Sequence, residues 1–420
     1  MEPSRGNQEP RPTSPQQAGV PQAPQHGVPQ YGVPQHGAPG GIAPAGPTPA
    51  QAQAQWEAAA RRAGREALRA ERAEAQRQWV ERTGSTFEWR PVLVFLIIAF
   101  ALAWLVCLPL YMNEGLANPW FGLIAVCMMA TPAIAALVVV GFVRRPPSIP
   151  RELGLWPLGR APRFLSSIGL AVLVPVALIL VALPIGALLG VYPADFVHFS
   201  AFQAVIDAQL AASGVASLPI PIGLLVLAQL LNVVIGAVIN TVPALGEELG
   251  WRGYLLPKLL PLGNVRAILI SGVVWGLWHA PLILLGYNYP YAPGWAGVLM
   301  MCGMCIVVGG VFGWLRLRSA SVWPAALAHG AFNAAAGFSL VFAQAGERID
   351  TVNATILGWS GWIVPAAVVV WLVATGRFSA GPPVVAAVAG GSVGPVGPGG
   401  PSGPGAPGGP AVPGAGGPTV

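Results

Sequence analysis

Eight apolar runs, each long enough to cross a bilayer, limit what this 420-residue chain can fold into. They cover 91–112, 119–143, 164–190, 220–246, 267–286, 295–315, 321–344 and 354–375. A hydrocarbon core about 30 Å thick needs about 20 apolar residues per crossing. Inside it every backbone N–H and C=O must find its partner within the protein, so runs of this length resolve into helices. Composition agrees, with 54% hydrophobic and only 9% charged residues, against about a quarter charged in soluble domains. The expected fold is all-α, a polytopic membrane bundle of about eight transmembrane helices.

Charge placement orients that bundle. A net charge of +6 on a soluble chain would suggest a nucleic-acid partner. Here the basic residues stand in short clusters beside apolar runs, where they act as topology signals, and no nucleic acid is expected. Eight crossings return both termini to one side. Loops on that side hold Arg90, Arg144, Arg145, Arg151, Arg160, Arg163, Lys258, Arg266, Arg316, Arg318 and Arg377, with every basic residue of the N-terminal arm. The opposite loops, 113–118, 191–219, 287–294 and 345–353, hold Arg348 alone. This asymmetry predicts an integral protein of the cell membrane, surrounded by lipid, with both termini cytoplasmic.

The flanks differ from the membrane part. Residues 1–54 are rich in Pro, Gln and Gly, with Gly-Val-Pro-Gln recurring at 19, 27 and 32, and bury too little apolar surface to fold. Residues 55–90 read as a polar juxtamembrane helix, with Glu57/Arg61, Arg62/Glu66 and Arg77/Glu81 at i,i+4 spacing. Residues 91–375 form the membrane domain, and 376–420 a disordered Gly/Pro-rich tail. The first apolar run begins near Pro91, so no cleavable signal peptide is expected. Cys107, Cys127, Cys302 and Cys305 all lie in apolar runs and read as packing residues. Gly309 and Gly313 form a GxxxG pattern, read as close helix packing.

Polar residues inside such runs need a reason, because an ionisable group in hydrocarbon must be paired or used. Glu247 and Glu248 are the acidic residues within or at the edge of a span. Arg252 lies i+4 from Glu248 and can pair with it. Glu247 sits about 140° around an α-helix from Arg252, which leaves it freer to act as a base. Two of the five histidines, His279 and His329, lie inside runs, and Asn333 is one turn beyond His329. Counted from the inner ends of their helices, Glu247, His279 and His329 stand at about 16, 18 and 12 Å, so the three can meet. A carboxylate, two imidazoles and an amide on separate helices are the groups that amide hydrolysis needs. A transporter would also carry mid-membrane ionisable groups, usually on repeated halves, and no internal repeat is evident. The outer loop 191–219, with Asp195, His198 and Asp207, is a weaker candidate for the site.

The motifs Glu247-Glu248-x-x-x-Arg252, Trp275-x-x-x-His279 and His329-x-x-x-Asn333 resemble, in order and spacing, those of the CAAX protease and bacteriocin-processing family. The likeness covers about 220–340 at motif level. It implies that 91–375 is an intramembrane peptidase domain acting on a peptide or a lipidated protein substrate. By the same resemblance Glu247 with His279 activates water and His329 with Asn333 stabilises the oxyanion. Glu248, Arg252 and Trp275 would support the site. Trp275 departs from the phenylalanine usual in the family. Glu247, His279 and His329 are also a ligand set that zinc accepts, so both a zinc-dependent and a metal-free mechanism fit. A catalytically silent scaffold or a bacteriocin-immunity protein on the same fold stands as the alternative.

Overall fold

In the computed structural model the described residues are 48–82, 87–158, 160–215 and 219–378. The chain divides at Arg61 into two units. Of the first, residues 48–61 are described and open helix α1 (Pro49–Arg82). This helix starts inside the segment 1–54 expected to lack structure. A reciprocal cap explains the start: Thr48 Oγ1 accepts the Gln51 N–H at 3.3 Å while Gln51 Oε1 accepts the Thr48 N–H at 2.9 Å, a capping box with Pro49 at the first helical position. The rest of the expected N-terminal arm, and the tail from 379, lie outside the described residues.

The second unit is helical throughout. It comprises α2 (Trp89–Met112), α3 (Phe121–Val138), α4 (Ala161–Leu188), α5 (Ser200–Ala212), α6 (Ile222–Glu248), α7 (Asn264–Trp278), α8 (Gly294–Ser319), α9 (Trp323–Ala335) and α10 (Ile363–Ala374). Among the described residues the sole strand-like feature is the bridge between Ala194 and Ala343. All eight apolar runs are helical, and five are long and apolar enough to cross a membrane: α2, α3 with its π-helical end Val139–Arg144, α4, α6 with its continuation to Leu262, and α8. The other three runs are broken. After α7 the chain turns at His279 and resumes as Ala280–Ile283, with Pro281 early in the new turn. After α9 it resumes as Phe338–Val341, and α10 is entered through the 3-10 turn Trp359–Trp362.

Lipid tails are as apolar as leucine, so spans associate through close packing rather than hydrophobic burial. Glycines supply the closeness. A Cβ at Gly246 or Gly250 would meet the backbone of α3 at 2.7 and 2.8 Å, at Met129 and Pro132. One at Gly330 would stand 2.5 Å from the Ala237 carbonyl, locking α9 to α6. One at Gly272 or Gly276 would stand 2.5 or 2.4 Å from Ile306 or Cys302 Cα, locking α7 to α8. Between these contacts lie the large buried rings Phe95, Trp251, Tyr254, Trp275, Trp278 and Phe312.

Ion pairs Arg144–Glu88 and Lys258–Glu152 tie the basic loops together. The outer loop is held by Tyr192, whose hydroxyl donates to the Ser339 carbonyl at 2.7 Å, and by Asp195, whose carboxylate accepts the N–H groups of Val197, His198 and Ser200. Those bonds, with the Ser200 hydroxyl, hold the Asp195 carboxyl below the usual carboxylate range. All four cysteines are free; Cys107, Cys302 and Cys305 are buried as packing residues and Cys127 is exposed.

Candidate active site

Helix α6 does not stop at its two glutamates. It continues as a π-helical turn, Leu249–Leu255, an element that recurs at functional sites. Gly246, Gly250 and Gly253 let this stretch lie directly on α3 and on the Leu153 carbonyl. The apposition holds both carboxylates inside the bundle, Glu247 2% and Glu248 0% exposed.

The adjacent glutamates have different partners. Glu248 Oε1 accepts from the Arg252 guanidinium at 2.8 Å, as the i,i+4 spacing expects, and lies 3.0 Å from His329 Nδ1. Glu247 Oε2 accepts from the indole Nε1–H of Trp275 at 2.7 Å. Among the described residues Glu247 Oε1 has no hydrogen-bond partner, yet it is not one of the sealed polar atoms, whereas Glu248 Oε2 is sealed and unpartnered. By hydrogen bonds Glu248 thus meets two basic side chains and Glu247 a neutral donor, although the Glu247 carboxylate also lies within electrostatic reach of His279 and His329.

Trp275 is the hub of the cluster. Its ring lies 4.2 Å from the Arg252 guanidinium carbon, and Phe312 of α8 lies 5.4 Å from the same carbon. Two aromatic faces hold the buried cation. Gly309 leaves the space, since a Cβ there would stand 2.6 Å from the guanidinium. The GxxxG pattern therefore does more than pack helices: Gly309 admits Arg252, and Gly313 admits Leu256 and Phe378 side chains. His329, 4% exposed, stacks on Phe312 at 5.6 Å and meets Trp275 edge-on at 5.4 Å. His279 caps α7, its Nδ1 2.8 Å from the Trp275 carbonyl and its ring 5.7 Å from that of Trp275 and 4.9 Å from Trp278.

The structure thus brings together Glu247, Glu248, Arg252, Trp275, His279 and His329. Asn333 is half-buried one turn beyond His329, and among the described residues its amide makes no hydrogen bond. In the outer loop, Asp195 is occupied by its own turn, Asp207 accepts from Gln203, and His198 pairs with Asp195 at 3.6 Å. None of the three touches the cluster.

Sequence reasoning missed Phe312, which carries no polar signal, and Tyr287. Burial and then the Glu247 carboxylate push the phenol of Tyr287, in the loop after α7, up. The departure at Trp275 also has a use that the sequence did not show: the indole N–H bonds the Glu247 carboxylate, which a phenylalanine ring cannot do.

The donors for a metal were also specified by the sequence. Both imidazoles have Nδ1 engaged and Nε2 open, the orientation that supporting hydrogen bonds impose on metal-ligating histidines. Among the described residues, however, no group of three or more His, Cys, Asp or Glu side chains is arranged to hold an ion. As arranged, Glu247, His279 and His329 do not fit a three-ligand metal centre.

Fold and site together define a helical membrane protein with a carboxylate–imidazole–guanidinium cluster buried where its spans converge. Residues 227–335, the stretch that carries the cluster, match the family described as type II CAAX prenyl endopeptidase Rce1-like. The chain is also similar to CAAX prenyl protease 2 of Methanococcus maripaludis, 44% identical over 46 residues, which are 11% of this chain and 17% of that protein. The aligned stretch thus spans under a fifth of the length of that curated relative. On both counts the segment from α6 to α9 is similar to CAAX proteases.

Proposed function

We propose that this protein is an intramembrane endopeptidase of the CAAX-processing type, hydrolysing a peptide bond in a peptide or lipidated protein substrate that reaches it from the membrane. The observation that carries the reading is the unequal treatment of the two glutamates. A carboxylate held between Arg252 and His329 is a poor base, because both partners stabilise its charge. Glu247, anchored by one oxygen to Trp275, keeps the other free to take a proton from water.

In this reading Glu247 Oε1 accepts the proton as the water oxygen attacks the carbonyl carbon. His279 donates Nδ1–H to the Trp275 carbonyl, which leaves Nε2 as an acceptor to orient that water. His329 donates Nδ1–H to Glu248. As the imidazolium it also offers Nε2–H to the developing oxyanion, beside the unengaged Asn333 amide. Collapse of the tetrahedral intermediate breaks the C–N bond, and the proton on Glu247 passes to the departing amine. Glu248 and Arg252 position His329 and Trp275. Side chains alone supply every step, in keeping with donors that do not form a metal centre.

The same reading makes 91–375 the peptidase domain, flanked by polar arms, in the cell membrane with both termini cytoplasmic. The basic loops on one side support that orientation.

The test is cleavage of a lipidated C-terminal peptide by the full chain in lipid vesicles. Glu247→Gln keeps the Trp275 bond and removes the base, so the rate should fall about 10²-fold or more. Protein stripped of metal by a chelator should keep its rate. Unchanged cleavage by Glu247→Gln would overturn the assigned base, and loss of activity restored by added zinc would overturn the metal-free route.

A further inference from the structure

The π turn that carries Arg252 leaves one of its own carbonyls short of a donor. In an α-helix the Arg252 carbonyl would accept from the Leu256 N–H, but that N–H goes to the Trp251 carbonyl, in the i→i+5 register of the π turn. The donor that the same register would give Arg252 belongs to residue 257, which is proline and has no N–H. Both helical registers thus deny this carbonyl its usual partner. Residue 252 is 2% exposed, and a carbonyl buried away from water needs a donor.

A side chain from another span supplies it. The Nε–H of Arg316 donates to the Arg252 carbonyl at 3.1 Å, and Arg316 is itself buried. Arg316 stands four residues beyond Phe312 and seven beyond Gly309, on one face of α8. That face grips residue 252 at both ends: Gly309 and Phe312 receive its guanidinium, and Arg316 holds its carbonyl. The basic loop before α4 closes on Arg316 as well. Gly154, at φ +72°, lies so near that a Cβ there would stand 2.5 Å from the Arg316 guanidinium, and its carbonyl accepts the Val322 N–H at 2.9 Å, at the entrance to α9.

We propose that Arg316 is a positioning residue of the peptidase site, supplying the N–H that Pro257 lacks and so fixing the π turn from which Arg252 holds Glu248 and Glu248 holds His329. The inference rests on the function proposed above, in which His329 faces the developing oxyanion. Arg316 touches neither substrate nor water in that scheme. It acts through the two links after it, from Arg252 Nη1 to Glu248 at 2.8 Å and from Glu248 to His329 at 3.0 Å, which set where the imidazole stands.

Two uncharged replacements isolate that N–H. In Arg316→Gln a carboxamide nitrogen falls the same number of bonds from the backbone as Nε, and in Arg316→Met a methyl group does. Both lose the guanidinium charge, so the donor is what separates them. In cleavage of the lipidated C-terminal peptide by the full chain in lipid vesicles, Arg316→Met should lower kcat about 10-fold or more with KM little changed. Arg316→Gln should recover most of that loss. Equal losses in the two variants, failure of both to fold included, an effect confined to KM, or full activity in Arg316→Met would overturn the inference. Glu247→Gln, assayed beside them, separates the two readings. Cleavage that survives Glu247→Gln sinks the proposed base, whereas an inactive Glu247→Gln beside an unimpaired Arg316→Met sinks the role of Arg316 alone.

Discussion

Helices α6 and α8 are both long apolar spans, yet 61% of the core stretch of α8 is buried against 17% of that of α6. Hydrophobicity does not separate them. Shape does: α8 carries glycines at 297, 303, 309, 310 and 313, opposite Tyr289, Trp362, Arg252, Val369 and Leu256. Helix α6 uses glycine on the side facing α3 and α9, at 236 and 246, and leaves branched side chains outward. In a bilayer the interior span is the one whose surface is notched to admit its neighbours. The catalytic candidates follow the same division. They sit at the end of α6 where its glycines return, and against the notched wall of α8.

Substitutions can break or sharpen that contrast. The largest effect is expected at Arg252, whose guanidinium fills the notch at Gly309. Arg252→Ala leaves Glu248 buried without its main counter-charge and should cost about 3–5 kcal/mol, read as a lowered unfolding midpoint in detergent. Next is Gly276→Ala in α7, whose new methyl group would meet the α8 backbone at Cys302. Overpacking of this kind costs about 1–3 kcal/mol. Gly223→Ala, with nothing within 4 Å, should leave stability unchanged or raise it by up to about 1 kcal/mol. The smallest effect belongs to the exposed face of α6, where Leu227→Ala in dispersed monomer should stay within about 0.5 kcal/mol. A cost at Leu227 matching that at Gly276 would show that α6 is an interior span after all.

Some of this was legible in the chain alone. The Glu248–Arg252 pair was, because i,i+4 neighbours meet on any helix. The partner of His329 was not: Glu248 lies 81 residues away, and the helix that joins them says nothing about how α6 and α9 are rotated. The same blindness hid the bond from Trp275 to Glu247 and the place of Phe312. The lengths of α7, α9 and α10 were overestimated because continuous hydropathy does not register where a histidine cap, a proline or a glycine interrupts the helical ladder.

By itself the sequence determined the solvent, the all-helical class, and the residues with chemistry to offer. These depend on local composition and on neighbours one turn apart. Only the tertiary structure decided which imidazole joins Glu248, what holds the buried guanidinium, and which span is least buried. Those outcomes depend on how notched surfaces fit across long separations, and a one-dimensional pattern of hydrophobicity carries no record of that fit.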